Sequence, residues 1–328
     1  MVSWQDASVL ITGGTGSFGK AFIQRLLADG EVRRIAVLSR DELKQYEMRK
    51  RFGDDSRLRW FIGDVRDPER LRRAFHGVDY VVHAAALKQV DTAEYNPYEY
   101  VKTNVLGSQN VIDAAIDTGV KRVVALSTDK ASSPINLYGS TKLCADKLFV
   151  AGNHYASGTA TRFCVVRYGN VVGSRGSVVP FFKQLVAEGV ATLPITDERM
   201  TRFWITLPQA VQFVIDSFDR MSGGELYVPR IPSMRVIDLA AALAPGLETK
   251  VIGMRPGEKL HEEMISEQDA YRTRRFDDHY LVKPVLAAWT DANGNGGEPV
   301  PEGFVYRSDL NDQWLSADGL RAMLEQSA

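Results

Sequence analysis

Ser8-Val9-Leu10-Ile11-Thr12-Gly13-Gly14-Thr15-Gly16-Ser17-Phe18-Gly19 sets a short apolar run directly against a glycine-rich segment. The apolar run reads as a buried strand, and the chain beyond Gly16 to about Asp29 reads as a helix. Gly13, Gly16 and Gly19 therefore fall in the turn between them as a G-x-x-G-x-x-G loop. Glycine allows that turn to be tight and lets a pyrophosphate approach the first N–H groups of the helix, where the helix dipole favours negative charge. Thr15, Ser17 and Phe18 share the loop and join the glycines as candidate dinucleotide contacts.

Outward from this loop, strands and helices alternate. Arg34 to Leu38 is a second strand, ending at Ser39-Arg40-Asp41-Glu42-Leu43-Lys44, about where a dinucleotide ribose is held. Arg40 and Lys44 suit a 2'-phosphate, which makes NADP the preferred cofactor, while Asp41 keeps NAD open. Leu58 to Ile62 is a third strand, with Asp64 and Val65 placed to meet the adenine. Asp67-Pro68-Glu69 marks a helix start, where an aspartate can cap instead. Tyr80 to Ala86 is a fourth strand whose Ala84 and Ala86 let a cofactor lie close to the backbone, with Lys88 just beyond. His83 lies inside the apolar run and reads as a core histidine. A helix from Pro97 to Ala115 contains Asn104, which needs partners and is placed to anchor a proton-relay water. Arg122 to Leu126 is a fifth strand, and parallel sheets bind ligands at the carboxyl ends of their strands. The expected fold class is α/β: a doubly wound parallel (Rossmann) sheet with a smaller α/β substrate-binding domain.

Reactive side chains cluster after the fifth strand, in Ser127-Thr128-Asp129-Lys130 and again in Tyr138-Gly139-Ser140-Thr141-Lys142. A helix from Leu137 to Ala151 puts Tyr138 and Lys142 on one face. A phenol titrating near 10 becomes a usable base when a nearby ammonium stabilises its phenolate. On spacing alone the Tyr138/Lys142 pair fits a solvated helical face as well, and Asp129-Lys130 fits a surface turn.

After a strand from Arg162 to Arg167, the glycine-rich segment Tyr168 to Ser177 reads as a loop leaving the nucleotide-binding lobe to line a cleft. There follow a helix (Val179 to Glu188), a strand (Thr201 to Ile205), a helix (Pro208 to Met221), a strand (Glu225 to Val228), a helix (Arg235 to Leu243) and a strand (Val251 to Met254). Arg255-Pro256-Gly257-Glu258-Lys259-Leu260 then leads to a further expected helix. Residues 291–301 read as a loop and 314–326 as a terminal helix. Arg175, Arg202 and Arg255 together suit a diphosphate-bearing substrate, although each alone fits an ordinary surface charge. The expected division is 1–170 plus about 205–228 for the cofactor domain, and about 171–204 plus 229–328 for the substrate domain.

With 25% charged residues and a net charge of -1, the chain has no basic footprint for nucleic acid. It contains no apolar run long enough to span a membrane and no signal peptide, so a cytoplasmic location is expected. Cys144 and Cys164 have no metal or redox spacing and read as reduced core residues. No metal site is expected.

The glycine loop, the Tyr138/Lys142 pair, Asn170 and Arg255-Pro256-Gly257-Glu258 resemble the extended short-chain dehydrogenase/reductases that act on nucleotide sugars. More narrowly, Ser127 to Ala131, Pro134 to Gly139, Arg167 to Ser177 and Met200 to Trp204 resemble the inverting UDP-N-acetylglucosamine 4,6-dehydratases of the pseudaminic acid pathway. Retaining hexose dehydratases carry Asp-Glu where this chain has Asp129-Lys130. The resemblance implies a UDP-sugar substrate, a 4-keto-6-deoxy product inverted at C5, a homo-oligomer of hexameric type, and a place in bacterial surface-glycan or flagellin-glycan precursor synthesis. It implies Ser127, Tyr168 and Val171 beside the cofactor, and Lys88, Asn170, Thr201 and Glu258 beside the substrate. The expected mechanism gives Tyr138, lowered by Lys142, the C4 hydroxyl proton, with Thr128 orienting the oxygen. Neutral Lys130 then removes the C5 proton, and protonated Asp129 delivers one to the departing C6 hydroxyl. A 4-epimerase, a retaining dehydratase and an NADP-sensing scaffold are the competing readings.

Overall fold

The computed structural model describes residues 2–174, 176–285 and 296–326. Its centre is a ten-stranded sheet. Six parallel strands carry the first lobe: β1 (Ser8–Thr12), β2 (Arg34–Ser39), β3 (Leu58–Ile62), β4 (Tyr80–His83), β5 (Arg122–Thr128) and β6 (Arg162–Tyr168). β1 and β4 are buried throughout, as expected of strands covered by helices on both faces. β1 pairs with β2 on one side and β4 on the other, so the chain's winding reverses there and opens a crevice at the strands' carboxyl ends. Leu226–Pro229 continues the parallel order beside β6, and His279–Val282, Thr273–Arg275 and Glu298–Pro299 close that edge antiparallel.

A second apolar cluster gathers Val179, Phe182, Leu193, Ile195, Met200, Trp204, Met234, Leu239 and Leu320. The strand Thr201–Ile205 joins the two cores through its alternation: Phe203 and Ile205 pack into the first, and Trp204 into the second. No helix among the described residues is long and apolar enough to cross a membrane.

Several sequence expectations are corrected. The expected Pro97 to Ala115 helix is broken into Pro97–Tyr100, a π-helical turn at Val101–Leu106 and Gly107–Thr118. A π turn inserts one residue into the helical repeat, and Asn104 lies within it with both ends of its amide bonded. The segment after Leu260 forms no long helix. Glu263–Ile265 pairs with Tyr306–Arg307 and Thr201 bridges to His261, so cross-chain pairing overrides local helix preference before a 3-10 turn at Glu267–Arg272. The strand expected at Val251 to Met254 lies at Glu248–Val251, where it pairs with Thr192–Ile195. Cys164 is buried in β6, but Cys144 lies on the solvent-facing side of its helix and is not a core residue. His83 is buried, bonds Thr12 Oγ1 through Nδ1 at 2.8 Å, and is pushed down to about 3 by burial and the Lys142 charge.

Candidate active site

A cleft of about 660 Å³ runs along the carboxyl ends of β1 to β6. At one end lies the glycine loop. Gly13 has φ +66°, and a Cβ there would sit 2.8 Å from the Ala85 backbone; at Gly19 it would sit 2.3 Å from the Gly14 carbonyl oxygen. The loop thus packs against β4 and folds on itself with no room for side chains, presenting the start of the Ser17–Asp29 helix to the cleft. Thr15, Gly16, Ser17 and Phe18 line it, with Ser39, Arg40 and Lys44 from the end of β2, Asp64 and Val65 from the end of β3, and Ala84, Ala86 and Lys88 beyond β4. A backbone cradle, a helix N-terminus and small residues beneath it form a long groove that fits a dinucleotide. Arg40 lies 3.8 Å from Asp64, and Lys44 2.9 Å from Asp41, which also caps the next helix through Lys44 N.

β5 delivers the reactive cluster. Its last residue, Thr128, leads into a single 3-10 turn, Asp129–Ala131, and the Leu137–Tyr155 helix packs onto that turn. Asn136 caps the helix, its Oδ1 accepting from Gly139 N at 2.7 Å. A Cβ on Gly139 would lie 2.1 Å from the Lys130 carbonyl oxygen, so glycine there lets the helix come close enough to set Tyr138 beside Thr128 and Lys130. Tyr138 and Lys142 line the cleft with Ser127, Thr128 and Lys130.

Lys130 Nζ lies 3.0 Å from Asp129 Oδ1 and 3.1 Å from Glu262 Oε1, and Thr128 Oγ1 donates to the same Asp129 oxygen at 2.9 Å. Burial works against the Lys130 charge, but the two carboxylates outweigh it and hold the ammonium well above its ordinary value. Asp129 is raised, by its own burial and then by the nearby Glu262 charge. Burial pushes Tyr138 up to about 12, against the Lys130 charge and the Thr128 hydroxyl. Burial also pulls the Lys142 amine down, and its Nζ donates to the Leu126 carbonyl at 2.8 Å.

These observations revise the sequence reading. The Lys130 charge favours the Tyr138 phenolate and the two carboxylates favour the charged form of Lys130, where the sequence reading gave these parts to Lys142 and to a neutral amine. Asp129 is buried and does not line the cleft; its contacts reach the cleft only through Thr128 and Lys130. Asn104 does not line it either: its amide clamps the Leu87 backbone at 2.8 and 2.9 Å and donates to Thr141 Oγ1 at 3.1 Å. Thr201 Oγ1 bonds His261 Nδ1 and Ser308 Oγ, and the residue does not line the cleft. Arg175 lies outside the described residues. Tyr168, Asn170, Val171, Arg202, Arg255 and Glu258 do line the cleft. Arg202 bonds the Thr201 and Leu260 carbonyls, and Arg255 pairs with Glu258 at 2.6 Å.

Two features went unread. Glu262 sits among polar neighbours in a segment expected to be helical, with no local signal of burial. Asp146 and Arg167 form a buried pair at 3.0 Å behind the helix, with Ser127 Oγ donating to the same aspartate oxygen at 2.8 Å. Asp146 lies one turn beyond Lys142, a spacing that could have suggested it.

The sequence profile of the polysaccharide biosynthesis protein family matches residues 9–284. A protein of Campylobacter jejuni subsp. jejuni serotype O:23/36 (strain 81-176) named UDP-N-acetylglucosamine 4,6-dehydratase (inverting) is 56% identical over 316 residues, 94% of each chain. A protein of Rickettsia conorii named UDP-glucose 4-epimerase is 42% identical, over 84% of this chain and 83% of its own. The solved structure of Pen from Bacillus thuringiensis superposes with a TM-score of 0.89 at 34% identity, covering 99% of this chain and 100% of that one. The chain belongs to the polysaccharide biosynthesis protein family of extended short-chain dehydrogenase/reductases, among relatives named as inverting UDP-N-acetylglucosamine 4,6-dehydratases.

Proposed function

We propose that the chain is an NADP-dependent, inverting UDP-N-acetylglucosamine 4,6-dehydratase, a carbon–oxygen lyase whose product is a UDP-4-keto-6-deoxy sugar. The observation that carries this reading is an amine held at the cleft, Lys130, beside a phenol, Tyr138, where a simple hydroxyl oxidation calls for the phenol alone. The 56% identity to a protein of that name supports it. The first core is assigned to the cofactor and the second to the sugar nucleotide, with Arg40 and Lys44 toward the 2'-phosphate and Arg202 and Arg255 toward the diphosphate.

A bound oxidised nicotinamide dinucleotide supplies reversible hydride acceptance and a further positive charge in the site. The chain's residues handle the protons. Tyr138 Oη takes the C4 hydroxyl proton as a phenolate, its own proton having first passed to solvent through the open cleft, favoured by the Lys130 charge, the Thr128 hydroxyl and the cofactor's positive ring; Thr128 orients the oxygen. The C4 ketone then acidifies the neighbouring C5–H. An amine and a carboxylic acid are needed next, and they stand one proton transfer from the resting ion pair, along the 3.0 Å contact from Lys130 Nζ to Asp129 Oδ1. Asp129, raised by burial, is suited to accept that proton. Lys130, now neutral, takes the C5 proton. The electron pair left on C5 expels the C6 hydroxyl, which departs as water with the proton from Asp129 relayed through the Thr128 hydroxyl. Lys130 ammonium and Asp129 carboxylate are thereby restored.

Proton NMR of the product from UDP-N-acetylglucosamine tests the reading. A C6 methyl group is expected, with C5 coupling constants showing inversion; a product retaining its C6 hydroxyl would return the chain to 4-epimerases, as the Rickettsia relative is named. Lys130→Met is expected to oxidise substrate while exchanging no C5 hydrogen with deuterated water. Undiminished exchange would remove Lys130 from the mechanism.

A further inference from the structure

Lys130 is held by two carboxylates, and the proton transfers above use one of them. Glu262, from the segment that bridges to the Thr201–Ile205 strand, lines the cleft where Asp129 does not. It is 2% exposed, its Oε1 lies 3.1 Å from Lys130 Nζ and 3.6 Å from Arg202 Nε, and its Oε2 is buried with no hydrogen-bond partner among the described residues. Its backbone is fixed on both sides, by Ser308 N donating to its carbonyl at 2.8 Å and by its own N–H donating to Ser308 Oγ at 2.9 Å. A carboxylate so rigidly mounted and only half satisfied is an expensive arrangement for a purely structural role, because each buried unpaired oxygen costs free energy.

We infer that Glu262 is a positioning residue of this dehydration: it fixes the Lys130 amine at the cleft and sets the charge balance of the Lys130–Asp129 pair. The inference rests on the dehydratase reading. Asp129 alone would draw Nζ back toward the buried turn, away from the cleft. Glu262 pulls from the other side, so Nζ rests between them at the cleft, where rotation about Cε–Nζ can turn the lone pair left by the proton transfer to Asp129 toward a sugar C–H. Charges from every element around Lys130 enter the balance: Asp129 on its own turn, Glu262 and Lys259 from the bridging segment, Arg202 from the Thr201–Ile205 strand, Lys88 beyond β4 and Tyr138 from the helix. Of these, the Asp129 and Glu262 carboxylates favour the ammonium, and Glu262 also repels charge on Asp129. Removing Glu262 therefore loosens the hold on the Lys130 proton and makes Asp129 a worse acceptor for it, while Nζ loses its second anchor.

The experiment compares wild-type protein with Glu262→Gln and Glu262→Asp, each loaded with cofactor. It measures kcat and KM with UDP-N-acetylglucosamine, C5 hydrogen exchange in deuterated water, and the pH at which the Lys130 amine is half labelled by an acylating reagent, read by peptide mass spectrometry. Formation of the C6-methyl product by the wild type establishes the underlying reading; its absence defeats that reading before any variant is compared. Given that product, Glu262→Gln is expected to lower C5 exchange and kcat by about tenfold or more with KM changed by less than about threefold. Its Lys130 labelling midpoint is expected to fall by about one pH unit. Glu262→Asp, which keeps the charge but withdraws it, is expected to fall between the two in both readings, and it alone decides the matter if the Gln variant does not fold. Unchanged exchange, or lost turnover with an unmoved labelling midpoint, would overturn the inference and leave Glu262 a residue of the fold.

Discussion

Asp146 and Arg167 illustrate how the Leu137–Tyr155 helix is held by charges that do not line the cleft. Arg167 is 3% exposed and divides its guanidinium between Asp146 and the Met264 carbonyl, with Nε unpartnered among the described residues. Removing one member of such a pair strands a buried charge, which outweighs the modest benefit of the pair itself. Asp146→Asn is therefore expected to destabilise the protein by about 3–5 kcal/mol, measured by urea unfolding; a loss under about 1 kcal/mol would mean that water or another acceptor reaches Arg167. Tyr138 belongs to the opposite category, a buried group that lines the cleft and to which the proposed reaction gives the C4 hydroxyl proton. Tyr138→Phe removes only a hydroxyl and should leave unfolding midpoints nearly unchanged while lowering kcat by about 10²–10⁴-fold. Equal kcat in the variant would refute its role at the C4 hydroxyl. Both residues lie in one helix and were equally visible as letters, but Tyr138 carried a chemical signal and Asp146 did not, because its partner lies 21 positions away on β6.

The Leu137–Tyr155 helix and the Asp129–Ala131 turn show how elements, rather than single groups, set the geometry of the site. Their approach depends on Gly139, where an added methyl would meet a backbone carbonyl that cannot turn aside. Gly139→Ala should push the helix off the turn, costing about 1–3 kcal/mol and lowering activity further than that loss of stability explains, since Tyr138 moves with the helix. Retained kcat with unchanged stability would show that the turn can yield. The cap at Asn136 does double duty, accepting from Gly139 N and donating to the Gly257 carbonyl at 2.8 Å. Asn136→Ala is expected to cost about 1 kcal/mol by thermal unfolding. Helix ends and glycine turns were legible because their chemistry is local. The π turn at Val101–Leu106 was not, since the Asn104 amide within it accepts from Leu87 N and donates to the Leu87 carbonyl, 17 residues earlier.

For the molecule as a whole, the buried histidine of β4 ties stability to pH. His83 keeps a neutral ring down to about 3 in the folded state, whereas in an unfolded chain it takes up a proton near 6.5. Its folded value is depressed, so the unfolded chain binds the extra proton between those values, and stability falls as pH drops through that window. The slope from this one group is about 1.4 kcal/mol per pH unit. His83→Gln should remove it, flattening the decline of unfolding free energy between pH 6 and about 4; an equally steep decline in the variant would assign the acid sensitivity to other groups. At this scale the two cores also explain the cleft. They are joined through alternate faces of Thr201–Ile205, so the second core meets the carboxyl ends of the sheet rather than its flank.

What the chain determined by itself was whatever rests on neighbours in sequence. The continuous apolar strands, the glycine turn, the alternation that makes a doubly wound sheet, and the spacing of Thr128, Lys130, Tyr138 and Lys142 all follow from residues within a few positions of one another. Tertiary structure alone decided the protonation of those groups and the identity of their partners. A charge state depends on burial and on carboxylates brought from elsewhere, and Glu262 reaches Lys130 across 132 positions only after the bridging segment pairs with Thr201–Ile205 and Tyr306–Arg307.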